Sequence, residues 1–227
     1  MIWDDKGFLI SKFKYNENSI IAEFFTLYHG KCSGIIFGAT SKKIKGYLQI
    51  GNLFQINSNS KNENKIGSFK LEIIDPLTPF FFNNPKKLHC IISAMSMIKL
   101  LTAENQKNEN IYKIILKFFK ILLQKNWIKN YIFWELELLK LLGYDLELNK
   151  IVNKEEKEHE TKYFVKNLKE KKFVPNFLID TQINDVDQNE LINGLQLVGS
   201  YLEKNILKPN SINTPISRTD FINLLKL

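Results

Sequence analysis

A break at residues 75–85 separates two hydrophobic patterns and constrains the fold more than any other feature of the sequence. The run Asp75-Pro76-Leu77-Thr78-Pro79 ends the last strand-like alternation, and Asn83-Asn84-Pro85 then suits the start of a helix. The pattern before the break is that of short strands, and the pattern after it is helical. We therefore expect an α+β multi-domain chain with one domain over residues 1–80 and a second over residues 81–227.

The first 75 residues contain five short runs typical of strands, joined by turns rich in Gly and Asn. These runs cover residues 7–15, 19–27, 32–37, 48–56 and 68–73. The last run alternates strictly, which predicts that Phe69, Leu71 and Ile73 lie buried on one sheet face. Five short strands in one small unit predict a small closed β-barrel, although the pattern also fits a sandwich or an SH3-like barrel.

Helical periodicity follows the break and predicts an α-helical bundle. The predicted helices cover residues 86–102, 111–123, about 129–142, 187–207 and 218–227. Gly143 directly follows the third helix and is a favourable residue at a helix C-terminus. The most polar stretch, at about residues 149–180, is interpreted as a solvated insertion because its charges balance.

The charge of the chain is informative mainly through its distribution. The net charge is +8, from 32 basic and 24 acidic residues, but only Arg218 is an arginine. Such a lysine bias is typical of coding composition, whereas a phosphate-binding surface often favours the planar fork of arginine. The surplus is +3 over residues 1–80, +5 over residues 81–150 and zero beyond. A locally basic surface of this kind is expected of a protein with a polyanionic partner.

The glycine-bounded basic segment at residues 38–46, with the sequence G-A-T-S-K-K-I-K-G, is the best functional candidate. Its small and hydroxyl side chains admit a phosphate, and its three lysines cannot all point inward. Beside aromatic rings, such a loop predicts a track for a single nucleic-acid strand. The candidate DNA-binding residues are Lys31, Lys42, Lys43, Lys45, Tyr15, Phe37 and Tyr47, although each ring is also a candidate for the core.

A second candidate surface lies on the predicted helix at residues 111–123. Lys113, Lys117 and Lys120 recur at i, i+4 and i+7 and therefore share one helix face. This face is either simply solvated or receives an acidic peptide.

Sequence motifs of catalysis and metal binding are absent. The chain has no phosphate-binding glycine loop, zinc-protease helix or nucleophile elbow, and its three histidines lie in different segments. Cys32 and Cys90 lack the spacing of zinc ligands and predict buried thiols. The N-terminus has no leader-like apolar region, and no apolar run is long enough to cross a membrane. We expect a cytoplasmic binding protein without metal or cofactor, and not an enzyme.

Several short motifs, taken in order along the chain, resemble those of the bacterial RecO family. They lie at residues 5–10, 15–19, 25–30 with a T-x-x-x-G pattern, 38–43, 48–52, 133–146 with an L-L-x-x-L-G-[YF]-like helix end, and 216–219. The family proline near the last motif stands one place earlier here, at Pro215. Because the matches keep the family order across nearly the whole chain, the resemblance is much more specific than any single motif.

The resemblance implies an N-terminal OB-fold, an α-helical domain and a non-enzymatic role in DNA repair by homologous recombination. Family members bind single- and double-stranded DNA and anneal complementary strands. They engage the acidic C-terminal tail of single-stranded-DNA-binding protein and act with RecR to load RecA on covered strands. Many carry a four-cysteine zinc module after the L-G-[YF] helix, but this sequence has no cysteine there. We therefore expect a degenerate module that holds no metal.

The two basic regions predict where these partners bind. The four barrel lysines, from Lys31 to Lys45, would hold strand phosphates, and Lys113, Lys117 and Lys120 would flank a hydrophobic groove for the acidic tail. One alternative is a protein-interaction scaffold without direct DNA binding, whose lysine excess reflects coding bias. Another is an enzyme such as a nuclease.

Overall fold

The computed structural model describes residues 1–60, 65–157, 160–167 and 170–227. The chain divides into two compact units, one of Met1–Ile115 with Pro215–Phe221 and one of Leu116–Thr214 with Ile222–Leu227. The first unit contains the strands of the N-terminal region, and the second is mainly helical. The domain boundary between residues 80 and 81 remains a proposal.

Five strands of the first unit close into a barrel in the order β1-β2-β3-β5-β4. The strands are β1 (Ile2–Lys14), β2 (Ser19–Thr26), β3 (Gly30–Phe37), β4 (Leu53–Asn59) and β5 (Gly67–Asp75). The long β1 pairs with β4 through its first half and with β2 through its second half. The barrel closes where β5 pairs in parallel with β3. Closure excludes the sandwich, and the five-stranded barrel confirms the predicted OB-type fold.

Aromatic side chains fill the centre of the barrel. The Phe24 ring meets the rings of Phe54 and Phe69 edge to face, with centroids 5.7 and 5.8 Å away. Burial of each ring stabilises the barrel by about 1.5–3 kcal/mol. Phe69 is buried as predicted, but the prediction for Ile73 is wrong because this side chain is 38% exposed. The β5 register shifts beside Ile73, and such a bulge interrupts the alternation of inward and outward side chains.

The turn between β2 and β3 explains the T-x-x-x-G motif. The Thr26 hydroxyl donates to the Gly30 carbonyl (3.0 Å) and accepts from the His29 N–H (3.1 Å). The buried carboxylate of Asp5 also accepts backbone N–H groups of this turn. Gly30 has a φ of +68°, and a Cβ there would lie 1.9 Å from the carbonyl oxygen of Gln106. The glycine is therefore required both by the turn and by the chain packed against it.

The lysine-rich segment predicted as a loop is a short helix, α1 (Lys42–Tyr47). The Ser41 hydroxyl caps this helix by accepting a backbone N–H of its first turn (3.4 Å). The strand predicted at residues 48–56 begins later than predicted, at Leu53, the first residue of β4. Gly51 takes a φ of +94° in the intervening turn, and its N–H bonds to the Leu9 carbonyl (2.7 Å). The short helix and this tight turn together connect β3 to β4.

Helices dominate the chain after the barrel, which confirms the predicted fold class. They are α2 (Pro85–Leu101), α3 (Glu109–Leu122), α4 (Trp127–Leu141), α5 (Leu148–Ile151), α6 (Gln188–Leu202) and α7 (Ile216–Leu225). Short 3-10 turns cover Thr78–Phe81, Asn176–Leu178 and Lys208–Asn210, and a π-helical turn at Glu203–Leu207 continues α6. Helix α4 ends beside the predicted Gly143, whose φ is +87°.

The second unit is built on aromatic packing around α4. The rings of Tyr131 and Trp134 stack at 5.6 Å, and Phe118 of α3 lies 5.2 Å from Trp134. Lys129 of α4 is also buried, and its ammonium donates to the backbone carbonyls of residues 181 and 183 at 2.8 and 2.5 Å. These bonds hold the segment before α6 against α4.

The polar stretch interpreted as a solvated insertion contains a three-stranded antiparallel sheet. Its strands are β6 (Val152–Lys157), β7 (Glu160–Asn167) and β8 (Glu170–Val174), in the order β6-β7-β8. The rings of Phe164 and Phe173 lie 6.1 Å apart across β7 and β8, and Val174 is fully buried. A few apolar side chains among many charged ones are therefore enough to pack this sheet against the rest of the second unit.

Candidate nucleic-acid interface

One end of the barrel brings together the β1–β2 turn and the segment that leads from β3 to α1. The Ala39 N–H donates to the Asn18 carbonyl (3.1 Å), and the Thr40 hydroxyl donates to the Asn18 side chain (3.4 Å). Across β2 and β3, Ser19 pairs with Phe37. The glycine-bounded segment predicted from the sequence therefore lies beside the turn that carries Tyr15.

Three exposed aromatic rings lie at this end of the barrel. Phe13, Tyr15 and Phe37 are 49%, 55% and 64% exposed. Strand pairing places Phe13, Ile21 and Ile35 side by side on β1, β2 and β3, so that these three residues share one sheet face. On β3 the residues at positions 32, 34 and 36 are buried, which turns Ile35 and Phe37 outward.

The lysines of α1 border the same end. Lys42 and Lys45 are exposed, whereas the side chain of Lys43 lies outside the described residues. Lys12, on β1 next to Phe13, donates its ammonium to the carbonyl of Leu48 at the end of α1. Burial, and then the positive charge of Lys45, lower the pKa of Lys12. Two ammonium groups therefore repel each other at a place where an anion would relieve the repulsion.

We call this group of residues the barrel-end surface. It consists of Phe13, Tyr15, Ile21, Ile35 and Phe37, together with Lys12, Lys42 and Lys45. Sequence reasoning missed Phe13, Ile21 and Ile35, because only the cross-strand register places them side by side. It missed Lys12, because only the folded chain brings its ammonium to the end of α1. The alternation of residue types along one strand does not identify its partners on other strands.

Two of the predicted DNA-binding residues whose side chains are described lie outside the barrel-end surface. Lys31 stands at the opposite end of β3, about 20 Å from Phe37 at the usual rise of a strand. Its ammonium donates to the carbonyl of Lys99 at the end of α2 (2.9 Å). Tyr47 is half-buried and packs on the barrel core, with its ring 6.0 Å from that of Phe54. The structure thus favours the core interpretation that the sequence left open for Tyr47.

The end of α2 covers the neighbouring part of the same sheet face. The ammonium of Lys99 lies 2.5 Å from the Glu23 carboxylate and donates to the Ser11 hydroxyl (3.1 Å). Strand pairing places Ser11 and Glu23 directly opposite each other, one row from Phe13. The uncovered part of the face therefore ends at the row that contains Phe13, Ile21 and Ile35.

The three predicted lysines of α3 have different environments. Lys113 lies 4.0 Å from Glu109 on its own helix, and Lys117 forms an ion pair with Glu137 of α4. Lys120 is exposed. Leu116 on α3 and Leu123 just after it are exposed as well, so apolar and basic groups alternate along this part of the chain.

The described ranges contain neither a metal-binding cluster nor a membrane-spanning helix. No group of three or more His, Cys, Asp or Glu residues there is arranged to hold a metal ion. Among the helices of the described chain, none has the length and apolar character that crossing a bilayer requires. Cys32 and Cys90 are both buried, as predicted.

Comparison with known proteins gives two matches to family models, which cover most of the chain. Residues 1–77 match the model described as Recombination protein O N terminal, and residues 83–211 match Recombination protein O C terminal. The division between the two models falls at the break in hydrophobic pattern at residues 75–85.

Several curated relatives bear the name DNA repair protein RecO. The Rickettsia canadensis protein is 34% identical over 146 residues, which are 64% of this chain and 60% of the relative. The Rickettsia felis protein is 34% identical over the same length, covering 61% of that relative. The Bartonella quintana protein is 26% identical over 244 aligned positions, covering all of this chain and 98% of the relative. The chain thus spans about 60% of the Rickettsia relatives that it matches.

Proposed function

The chain belongs to the recombination protein O family of DNA repair proteins, and on this premise we propose that it acts as a recombination mediator. In this role it binds single- and double-stranded DNA and anneals complementary strands. Together with RecR, it helps to load RecA on strands covered by single-stranded-DNA-binding protein. It works on the nucleoid in the cytoplasm, by binding alone and without catalysing a reaction.

The observation that carries DNA binding is the barrel-end surface, where exposed rings and lysines meet. Stacking of a base on an aromatic side chain contributes about 1–3 kcal/mol and tolerates any base, because every base has a π-face. The exposed rings of Phe13, Tyr15 and Phe37 suit that contact. Lys42 and Lys45 supply positive charge for the phosphates. For each phosphate neutralised on a single strand, the plot of log binding constant against log salt concentration becomes steeper by about 0.7.

The same arrangement supports annealing. Two complementary strands repel each other through their phosphates, and ammonium groups between them reduce this repulsion. The ammonium groups of Lys12 and Lys45 already lie close enough that the charge of Lys45 lowers the pKa of Lys12. Stacking on rings holds a strand by its bases without reading sequence, so that a second strand of any sequence can pair.

The acidic tail of single-stranded-DNA-binding protein is proposed to bind along α3. Such a peptide needs cations for its carboxylates and apolar contact for its end. Lys113, Lys117 and Lys120 supply the cations, and exposed Leu116 and Leu123 supply apolar surface. The exposed ion pairs that Lys113 and Lys117 form contribute only about 0–1 kcal/mol each, so exchange of their carboxylate partners costs little.

The DNA-binding part of the proposal is tested by reversing charge on α1. We expect Lys42→Glu with Lys45→Glu to weaken binding of a fluorescent single strand and to lower the salt slope, because two phosphate contacts are lost. Both side chains are exposed, so the fold should be unchanged in circular dichroism. Anisotropy titrations at several salt concentrations measure both quantities, and annealing is followed with labelled complementary strands.

The matched control reverses two exposed lysines of the other unit, Lys204→Glu with Lys226→Glu. It changes the net charge by the same amount and should weaken binding much less. Equal effects of the two double variants would show that only the total charge matters and would refute the assignment to α1. Absence of salt-sensitive binding in the unchanged chain would instead favour the protein-interaction scaffold.

A further inference from the structure

A cavity of about 580 Å³ opens in the first unit where β3 and β5 part. These strands pair only at Gly34 with Gly67 and at Ile35 with Ser68, so the barrel wall is open beyond Gly34. Met1 and Trp3, at the start of β1, line the cavity. Ser33 of β3 lines it as well, and this residue is about 13 Å along the strand from Phe37 at the usual rise of a strand. Its volume is within the range of small-molecule sites.

Two aromatic rings bound the cavity in a fixed arrangement. Strand pairing sets Trp3, Ser58 and Phe69 side by side on β1, β4 and β5, and all three line the cavity. The Trp3 and Phe69 rings meet edge to face at 5.9 Å. The His29 ring stacks on Trp3 at 4.1 Å and 16°. Its Nδ1 lies 2.8 Å from the buried Asp5 carboxylate, so the support of the indole is itself held in place.

Part of the cavity lining is polar and comes from the loop between α2 and α3. Glu104 and Asn105 line the cavity from this loop. Glu104 forms a β-bridge with Lys31, and the Asn105 N–H donates to the Lys31 carbonyl (2.8 Å). Asn105 has a φ of +55°, a left-handed conformation that asparagine tolerates in turns. Lys65 also lines the cavity.

This combination is complementary to a nucleotide. The partly exposed indole of Trp3 suits a planar base, a carboxylate accepts hydrogen bonds from amino groups, and an ammonium group suits a phosphate. Cytosine presents an amino group that a glutamate accepts, whereas thymine presents carbonyls that a carboxylate repels.

We propose that this cavity binds one nucleobase with its phosphate, and that Glu104 makes it prefer cytosine to thymine. The site is separate from the barrel-end surface and goes beyond the proposed function. The nucleotide is either free or part of a single strand, since both present the same chemistry.

The test titrates the full chain with dCMP and dTMP while tryptophan fluorescence is recorded. We expect dCMP to quench the emission and to bind about tenfold more tightly than dTMP. This ratio of dissociation constants is the discrimination expected from one good contact to a base. Trp3→Phe should abolish the quenching, because Trp3 is the tryptophan among the residues that line the cavity. Glu104→Gln should remove the preference, whereas Glu109→Gln, which changes another exposed carboxylate, should keep it.

Three results would overturn the proposal: no quenching at millimolar dCMP, equal quenching in the Trp3→Phe variant, or an unchanged preference in Glu104→Gln. Glu104 is exposed, so this last variant is expected to fold and keeps the test decisive. Displacement of dCMP by oligo(dC) identifies a base of a strand as the ligand, and lack of displacement identifies a free nucleotide. The Lys42→Glu, Lys45→Glu variant should retain the dCMP titration, so failure of the barrel-end surface and failure of the cavity are distinguishable.

Discussion

Replacing Gly30 and Gly38 by alanine, one at a time, separates backbone strain from a steric clash. Both glycines have a φ of +68°. An alanine there costs about 1–2 kcal/mol in strain, partly offset by about 0.4–1 kcal/mol from the reduced entropy of the unfolded chain. The surroundings differ: among the described atoms, none lies within 4 Å of a Cβ built on Gly38, but the Gln106 carbonyl oxygen lies 1.9 Å from one built on Gly30.

The clash sets the difference between the two variants. Real Cβ contacts essentially never fall below 3.0 Å, so the loop around Gln106 must retreat by more than 1 Å in Gly30→Ala. This movement breaks the bond from Asn105 to the Lys31 carbonyl (2.8 Å), which costs about 1 kcal/mol. Disturbed packing adds about 1–3 kcal/mol. We expect a loss of about 0.5–1 kcal/mol for Gly38→Ala and about 3 kcal/mol or more for Gly30→Ala.

Urea unfolding of both variants under one set of conditions measures this difference. Circular dichroism and tryptophan fluorescence should be followed together, since the chain has two compact units that need not unfold as one. A large fall in the midpoint for Gly30→Ala, beside a small one for Gly38→Ala, is the expected result. Equal losses in the two variants would refute the reasoning, because strain alone would then account for both.

Three further predictions concern the rings, a buried lysine and a thiol. Phe13→Ala with Phe37→Ala should weaken single-strand binding by about 1–3 kcal/mol per ring and leave its salt slope unchanged. Phe80→Ala removes another exposed ring and should leave binding unchanged. Anisotropy titrations measure both effects. Lys129→Met leaves backbone carbonyls without their donor and should destabilise the chain by about 1–3 kcal/mol in urea unfolding. Burial raises the pKa of Cys32 to about 12, so at pH 8 its modification in a Cys90→Ala chain should be about a thousandfold slower when folded than in urea.

The barrel was predictable from the sequence because its signals are local. Glycine and asparagine turns separate the strands, and alternating apolar residues mark their faces. The same local reasoning failed at β5, where the register shift beside Ile73 depends on β4. It also failed at α1, since three lysines and a glycine give little sign of a helix until Ser41 caps it.

The three-stranded sheet at β6, β7 and β8 was missed for a related reason. Its strands contain more charged than apolar residues, and mean hydrophilicity predicts a solvated segment. Strand formation there depends on contacts between a few residues of different strands, such as Phe164 and Phe173. The alternation within one strand gives no sign of such a contact. Pairing across strands is not encoded in the periodicity of either strand.

The candidate site shows the same limit. The sequence identified Lys42, Lys45, Tyr15 and Phe37, which the structure places at one end of the barrel. It did not identify Phe13, because its place beside Ile21 and Ile35 depends on two registers at once. Composition therefore predicts the kind of surface, whereas the strand pairing determines its extent.

The lysines of the chain have different roles, and these roles determine which of them can attract a polyanion. Lys31 and Lys129 donate to backbone carbonyls within their own units, so these two ammonium groups stabilise the fold. Lys117 forms an exposed ion pair with Glu137, which another carboxylate can replace at little cost. Lys12 also donates to a backbone carbonyl, that of Leu48, but the like charge of Lys45 opposes its own charge. A phosphate near these two groups would relieve the repulsion, and this relief is the electrostatic basis for proposing the barrel end as the site for a strand.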